Sequence, residues 1–143
     1  MAYEATVSLA VDASHQLSLP YESKCNNLHG HRYNIEVKFR RTHLNQHGMV
    51  IDFVHVKKVI RDVLDHQSVN LVFEKQTKYK ERQTTAENIA EFVYDQLQVL
   101  LNLPQSFFIG AASDLYKFVN IVSVRIWETP GNVIEFSPPG QWS

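Results

Sequence analysis

The chain contains a single cysteine, Cys25, among its 143 residues. One thiol cannot form an intrachain disulfide, and it cannot supply the thiolate-rich ligand set of a closed structural zinc site. No run approaches the 18 or more apolar residues of a membrane-spanning helix. Neither sign of charge is in excess: 14 Lys and Arg against 15 Asp and Glu give a net charge of -1, which excludes the strongly basic footprint of a nucleic-acid-binding surface. The first 13 residues lack a basic start and carry Glu4 and Asp12 within an apolar pattern, so they do not read as a secretory signal. There is no internal repeat and no low-complexity tract. With a free thiol in a reactive neighbourhood, these absences predict a cytoplasmic protein with neither a membrane nor a nucleic-acid partner. The length fits one domain spanning residues 1–143, able to bury roughly two thirds of its unfolded surface.

What is present is organised by the segment from His15 to His31. Tyr3, Ala5, Val7, Leu9, Val11 and Ala13 alternate with polar residues, and His15 closes the apolar series. His29 and His31 open a second alternating segment with Tyr33, Ile35, Val37 and Phe39 in phase. Side chains two apart on a strand share a face, so all three histidines point to the apolar side. If the strands pair as neighbours, the ends carrying His15 and His29 meet. Three imidazoles with an open position are the ligand set of a catalytic zinc. Each histidine alone is more simply a hydrogen-bonded core or surface residue; it is the phased set that points to a metal. Cys25 falls between charged and amide residues in a polar connection, Gln16 to Leu28, a poor setting for a buried thiol and a good one for a reactive thiol.

Further along, Asp52 precedes the apolar stripe Phe53, Val56, Val59, Ile60, Val63 and Leu64 and reads as the N-cap of an amphipathic helix. His43, His47 and His55 lack matching partners and read as surface residues. Asp65-His66 follows the stripe directly, and the polar stretch from Gln67 to Gln83 reads as a loop beside a pocket mouth. Thr84-x-x-Glu87 reads as a capping box with Thr84 at the cap, before a second helical stripe of Ala86, Ile89, Ala90, Val93, Leu97 and Leu100. The segment from Pro104 to Lys117, with Phe107 and Phe108, has no clear pattern. Two strands, Val119 to Thr129 and Val133 to Ser137, are joined through Pro130-Gly131-Asn132. Val122, Val124 and Ile126 share a face that Glu128 continues, which aims a carboxylate inward. The order β-β-α-α-β-β predicts an α+β fold: a four-stranded antiparallel sheet with two helices on one face.

Cys25-x-x-x-His29-Gly-His31, preceded by Ala13-Ser14-His15 and followed in order by Asp52-Phe53, Leu64-Asp65-His66, Thr84-Thr85-Ala86-Glu87-Asn88 and Trp127-Glu128-Thr129, resembles the 6-pyruvoyltetrahydropterin synthase and 6-carboxytetrahydropterin synthase family across nearly the whole chain. The resemblance implies a tunnelling fold in a single pterin synthase-like domain, and a homo-oligomer, a hexamer built from two trimers, with open strand edges as the physical motive for assembly. It implies one zinc per chain, held by His15, His29 and His31, acting as a Lewis acid on 7,8-dihydroneopterin triphosphate. Cys25 is then the catalytic general base, and His66 a second proton-transfer group oriented by Asp65, with the subunit that supplies this pair left open. Glu128 anchors the pterin by accepting parallel hydrogen bonds from its guanidine-like edge, and Thr85 adds a substrate contact. The three-residue interval between Cys25 and His29 is similar to the carboxy branch of queuosine and deazapurine biosynthesis, which releases triphosphate and acetaldehyde. The pyruvoyl branch of tetrahydrobiopterin synthesis carries a longer interval and is the alternative. A further branch of the family this chain resembles, which makes hydroxymethylpterin, uses a glutamate in the cysteine's neighbourhood, and Glu22 lies too far from the expected position to match it. A non-catalytic, zinc-stabilised oligomeric module would need neither the thiol nor Glu128, and a zinc hydrolase would usually show a carboxylate base near the ligands.

Overall fold

Two long alternating segments dictate the centre of the sheet. β1 (Tyr3–His15) and β2 (His29–Arg41) pair antiparallel over their full lengths, from Tyr3 opposite Arg41 to His15 opposite His29. The structure, a computed structural model, describes residues 1–103 and 116–140. The inward face of the pair holds Val7, Leu9, Val11, Ala13, Tyr33, Ile35, Val37 and Phe39, all buried. Each large aliphatic or aromatic side chain buried there contributes about 1.5–3 kcal/mol. That makes a one-residue slip, which would turn the whole set to solvent, prohibitive.

The same face is covered by α1 (Phe53–Leu64) and α3 (Ala86–Leu101). Asp52 caps α1 by accepting from the Val54 amide at 2.9 Å. Val56, Ile60 and Leu64 form the buried stripe of α1, while Phe53 at its first turn is exposed. α3 contributes Ile89, Ala90, Phe92, Val93 and Leu97. β4 (Asn120–Thr129) and β5 (Asn132–Phe136) complete the expected strands.

The stretch from Gln67 to Gln83 is more ordered than the loop its polarity suggests. β3 (Gln67–Ser68) joins β1 in parallel opposite Ala13 and Ser14, giving a five-stranded sheet in the order β3-β1-β2-β4-β5. α2 (Val69–Glu74) follows, capped by Ser68. Only Val69 and Phe73 of α2 are buried, one turn apart, too short a repeat to show as periodicity. Tyr79 then packs against Phe73 and Phe92, and its hydroxyl donates to Asp95 at 2.5 Å. Lys78 and Arg82 close ion pairs onto Glu91 and Asp95 of α3. The segment is a strap bound to α3, held by an aromatic residue set among charges.

Three local readings are corrected. The cap of α3 is Thr85, whose hydroxyl accepts from the Asn88 amide at 3.3 Å; Thr84 is buried and turned toward β1 instead. His55 is no isolated surface residue: its Nδ1 meets the Tyr116 hydroxyl. In β4 the core-facing residues are Ile121, Val124 and Ile126, with Val122 only half-buried. A bulge causes this: Lys38 faces Ser123 while Phe39 faces Ile121, so Val122 is the extra residue and parity resets after it. A second register shift lies between Trp127 and Thr129, at Glu128. Phe107 and Phe108 lie outside the described residues. Among the described residues, β5 and most of β1, Tyr3 to Val11, have no further strand along the outer edge.

Candidate active site

The register of β1 and β2 assembles the histidines. His15 and His29 are direct cross-strand partners and His31 stands opposite Ala13. The three rings sit with centroids 4.6, 4.8 and 5.2 Å apart, and one ligand nitrogen from each lies within 4.8 Å of the others. Second partners set the tautomers. His15 Nδ1 donates to the Thr84 carbonyl at 2.6 Å, and His29 Nδ1 donates to the Asn27 carbonyl at 2.6 Å. This leaves both Nε2 atoms as lone pairs, the arrangement found behind metal-ligating histidines. His15 Nε2 is buried and has no hydrogen-bond partner. A buried orphan nitrogen in a cluster of three fits a cation, which would supply the missing partner. Tyr33 floors the cluster, its ring edge-on to His15 and His31.

Glu128 reaches the same place from β4. Its Oε1 lies 3.4 Å from His15 Nε2 and 3.5 Å from His31 Nε2. Parity after Val122 keeps the residue in phase with Val124 and Ile126 on the core face. Glu128 also lines a cavity of about 400 Å³ with Ala86, Glu87, Gly131, Asn132, Val133 and Ile134. Thr85 caps the helix whose first residues, Ala86 and Glu87, form one wall of that cavity. The cavity thus joins a carboxylate at the histidine cluster to the N-terminus of α3.

Cys25 is exposed on a single 3-10 turn, Lys24–Asn26, capped by Ser23. The turn is tied back to the segment that leaves His15: Leu17 N–H donates to the Cys25 carbonyl at 2.8 Å, and the Gln16 side chain donates to the Asn26 carbonyl at 2.6 Å. Asp65 and His66 lie where β3 joins β1. The Asp65 carboxylate accepts from the Asp12 amide at 3.0 Å, and the His66 amide donates to the Asp12 carbonyl at 2.6 Å. His66 adopts a left-handed backbone with φ 57°, a strained state for a non-glycine residue that the Asp12 clamp holds in place. Its ring is exposed, 3.7 Å from Asp65. It lines a cleft of about 460 Å³ with His31, Arg32, Asp12 and Ser68. The structure therefore joins the three histidines to Glu128, and places Asp65 and His66 at a separate cleft that shares His31.

Burial pushes the imidazoles of His15 and His31 below the usual histidine range, opposed by Glu128 and, for His15, by the Thr84 carbonyl. Neutral rings are the form a metal binds. Because folded values below the unfolded value of about 6.5 mean that the unfolded chain binds more protons, this stability is fully present above about pH 6.5 and is lost as pH falls through the folded values. The metal-free protein should therefore lose Tm as pH falls below about 6.5, with a shallower slope in His31→Gln. Parallel slopes in the two proteins would assign the acid sensitivity to other groups.

The sequence model of 6-pyruvoyl tetrahydropterin synthase matches residues 4–139. The chain belongs to that family. It is 32% identical over 150 residues to a putative 6-carboxy-5,6,7,8-tetrahydropterin synthase of Pyrococcus abyssi, covering 88% of this chain and 84% of the relative. It is 30% identical over 122 residues to the 6-pyruvoyl tetrahydrobiopterin synthase of Drosophila melanogaster, covering 81% and 62%. The fold matches the Caenorhabditis elegans 6-pyruvoyl tetrahydropterin synthase with a TM-score of 0.68 at 24% identity, over 96% of each chain. The α+β tunnelling fold of this pterin synthase family is thus the fold of the chain. The Thr84 and Asn27 contacts escaped sequence reasoning because both act through carbonyls, which any residue carries. Among the described residues no helix is long and apolar enough to cross a membrane.

Proposed function

We propose that the protein is a zinc-dependent 6-carboxy-5,6,7,8-tetrahydropterin synthase that acts on 7,8-dihydroneopterin triphosphate and releases triphosphate and acetaldehyde, in the cytoplasm, within queuosine or deazapurine biosynthesis. The observation that carries this reading is the cluster of His15, His29 and His31, one with an orphaned buried nitrogen, with the carboxylate of Glu128 beside His15 and His31. His15, His29 and His31 hold the zinc, which when bound supplies Lewis acidity toward the hydroxyl oxygens of the substrate side chain. Glu128 holds the pterin by accepting two hydrogen bonds from its guanidine-like edge, in the cavity that runs past Thr85. Cys25, as thiolate, takes a proton from the substrate side chain. His66, oriented by Asp65, is the second proton-transfer group, and its position in a cleft distinct from the Glu128 cavity suits service to a neighbouring subunit. The free edges of β1 and β5 suit assembly into a hexamer of two trimers.

The interval between Cys25 and His29 and the archaeal relative favour the carboxy product. The pyruvoyl product is the second reading, favoured by the Drosophila relative. Incubating zinc-loaded protein with 7,8-dihydroneopterin triphosphate decides between them: acetaldehyde with a carboxypterin supports the first, a pyruvoyl pterin the second. Absence of any turnover would leave a zinc-stabilised structural module.

The anchor is tested apart from the chemistry. Glu128→Gln keeps size and loses charge, and presents a donor where the pterin also donates. Loss of one partner from a desolvated charge-assisted pair costs about 2 kcal/mol or more, or roughly 30-fold in affinity. Calorimetric titration with 7,8-dihydroneopterin should show that loss with zinc content unchanged. Affinity within about threefold of the parent would mean that the pterin is held elsewhere.

A further inference from the structure

The loop that carries Cys25 is exposed, yet its backbone is hydrogen-bonded on two sides. Toward the helical layer, the side-chain amide of Asn70 exchanges two hydrogen bonds with Gln16: Gln16 N–H donates to Asn70 Oδ1 at 2.8 Å, and Asn70 Nδ2 donates to the Gln16 carbonyl at 2.9 Å. Two residues on, the Gln83 amide repeats the pattern with Ser18: Ser18 N–H donates to Gln83 Oε1 at 2.9 Å, and Gln83 Nε2 donates to the Ser18 carbonyl at 2.7 Å. An exchange of both bonds with one residue is what a partner strand does at a hydrogen-bonded pair. Two side-chain amides thus stand in for a strand alongside the chain leaving His15.

The intervening residues face the other way. Leu17 N–H donates to the Cys25 carbonyl at 2.8 Å, and Leu19 N–H donates to Asn26 Oδ1 at 2.8 Å. The Asn26 side chain in turn donates to the Tyr21 carbonyl at 3.1 Å. Position is therefore relayed from α2 and the 75–83 strap, through Gln16 and Ser18, to Leu17 and Leu19, and so to the turn that bears the thiol. The strap is itself fixed to α3 by Tyr79, and the exposed Gln83 is tied to the same helix where its carbonyl accepts from the Asn88 side chain at 2.9 Å.

We infer that Asn70 and Gln83 are positioning residues for Cys25, a two-rung amide clamp that sets the thiol relative to the histidine cluster. The inference rests on the proposed role of Cys25 as the base. His15 is held by the Thr84 backbone carbonyl, whereas the clamp acts through side-chain amides. The Thr84 hydroxyl also reaches Asn70 Oδ1 at 3.5 Å, so the Gln83 rung, with no hydrogen bond to Thr84, is the one whose loss frees the thiol without touching the support of His15. A displacement of about 1 Å at a reacting group can cost on the order of 100-fold in rate.

The test compares Asn70→Ala and Gln83→Ala, with Asn70→Asp and Gln83→Glu as shape-conserving variants that keep the acceptor and lose the donor. Each is made in the full zinc-loaded protein and again in a Cys25→Ala background. With Cys25 present, kcat on 7,8-dihydroneopterin triphosphate should fall about 10-fold or more, with KM within about threefold and zinc content unchanged. The Leu17 amide should exchange faster with deuterium, and the rate of Cys25 alkylation by iodoacetamide should change at least about threefold. In the Cys25→Ala background the same substitutions should leave residual turnover unchanged, because a residue that acts through the thiol has nothing left to position. Equal losses in both backgrounds, or an unchanged alkylation rate in the folded variants, would overturn the clamp. If the parent itself shows no turnover, the functional reading fails, and the exchange and alkylation measurements still decide the clamp.

Discussion

Replacing Cys25 by alanine is expected to lower turnover by about 100- to 10,000-fold, the range a positioned general base supplies, while fold and metal content stay as they are. The thiol is exposed on its turn, and exposed positions of this kind usually shift stability by no more than about 0.5 kcal/mol. The histidines keep their own second partners, Thr84 and Asn27, neither of which depends on the thiol. Steady-state kinetics beside elemental analysis separates the outcomes. Retention of more than about half of parental turnover, far short of that range, would remove Cys25 from the chemistry. Loss of zinc would make it a ligand.

His31→Ala is expected to abolish stoichiometric metal binding. Removing an outer-shell partner of a metal site already costs about 10- to 100-fold, and removing one of three direct ligands should exceed about 1,000-fold. His31 is the informative choice. His15 is buried at 1% exposure, and its truncation would open a cavity as well as delete a ligand, confounding metal loss with unfolding. His31 is only half-buried, opposite the small Ala13, so the variant should fold. About one zinc per chain retained after dialysis of His31→Ala would reject the three-histidine site.

The sheet centre was readable because β1 and β2 alternate over 13 residues each, interrupted at Ala10 on the outer face and Arg41 on the inner. The parity that hides Val37 also aims His15, His29 and His31 inward, so the site could be read with the strands. α1 was readable because a carboxylate cap precedes a clean stripe. Elsewhere the signal was weak or misleading. Thr84 and Thr85 are adjacent and chemically equal as caps, and only the demand of His15 for an acceptor decides between them. Val122 looks core-facing until the bulge opposite Lys38 and Phe39 resets the count. The 67–83 stretch reads as loop because its order comes from tertiary contacts of Phe73 and Tyr79, which no local period reports. His55 appeared unpartnered because Tyr116 is distant in sequence.

The pairing of His15 with His29 has a consequence for how such a chain can vary. Residues 16–28 form a loop whose two ends are direct partners in the sheet, so its closure is already enforced by the register on either side. For a flexible closed loop, doubling the length costs only about 0.6 kcal/mol, small beside the apolar face that fixes the strands. Insertions and deletions between the two histidines that spare Asn27, whose carbonyl holds His29, should therefore leave the three histidines where they are while moving Cys25 along the contour. The spacing from thiol to histidine is then set not by the sheet but by the hydrogen bonds within the loop, among them Leu17 to Cys25 and Leu19 to Asn26. Loop-length variants that keep His15 opposite His29 are accordingly a low-risk route to a changed reaction outcome on an unchanged fold.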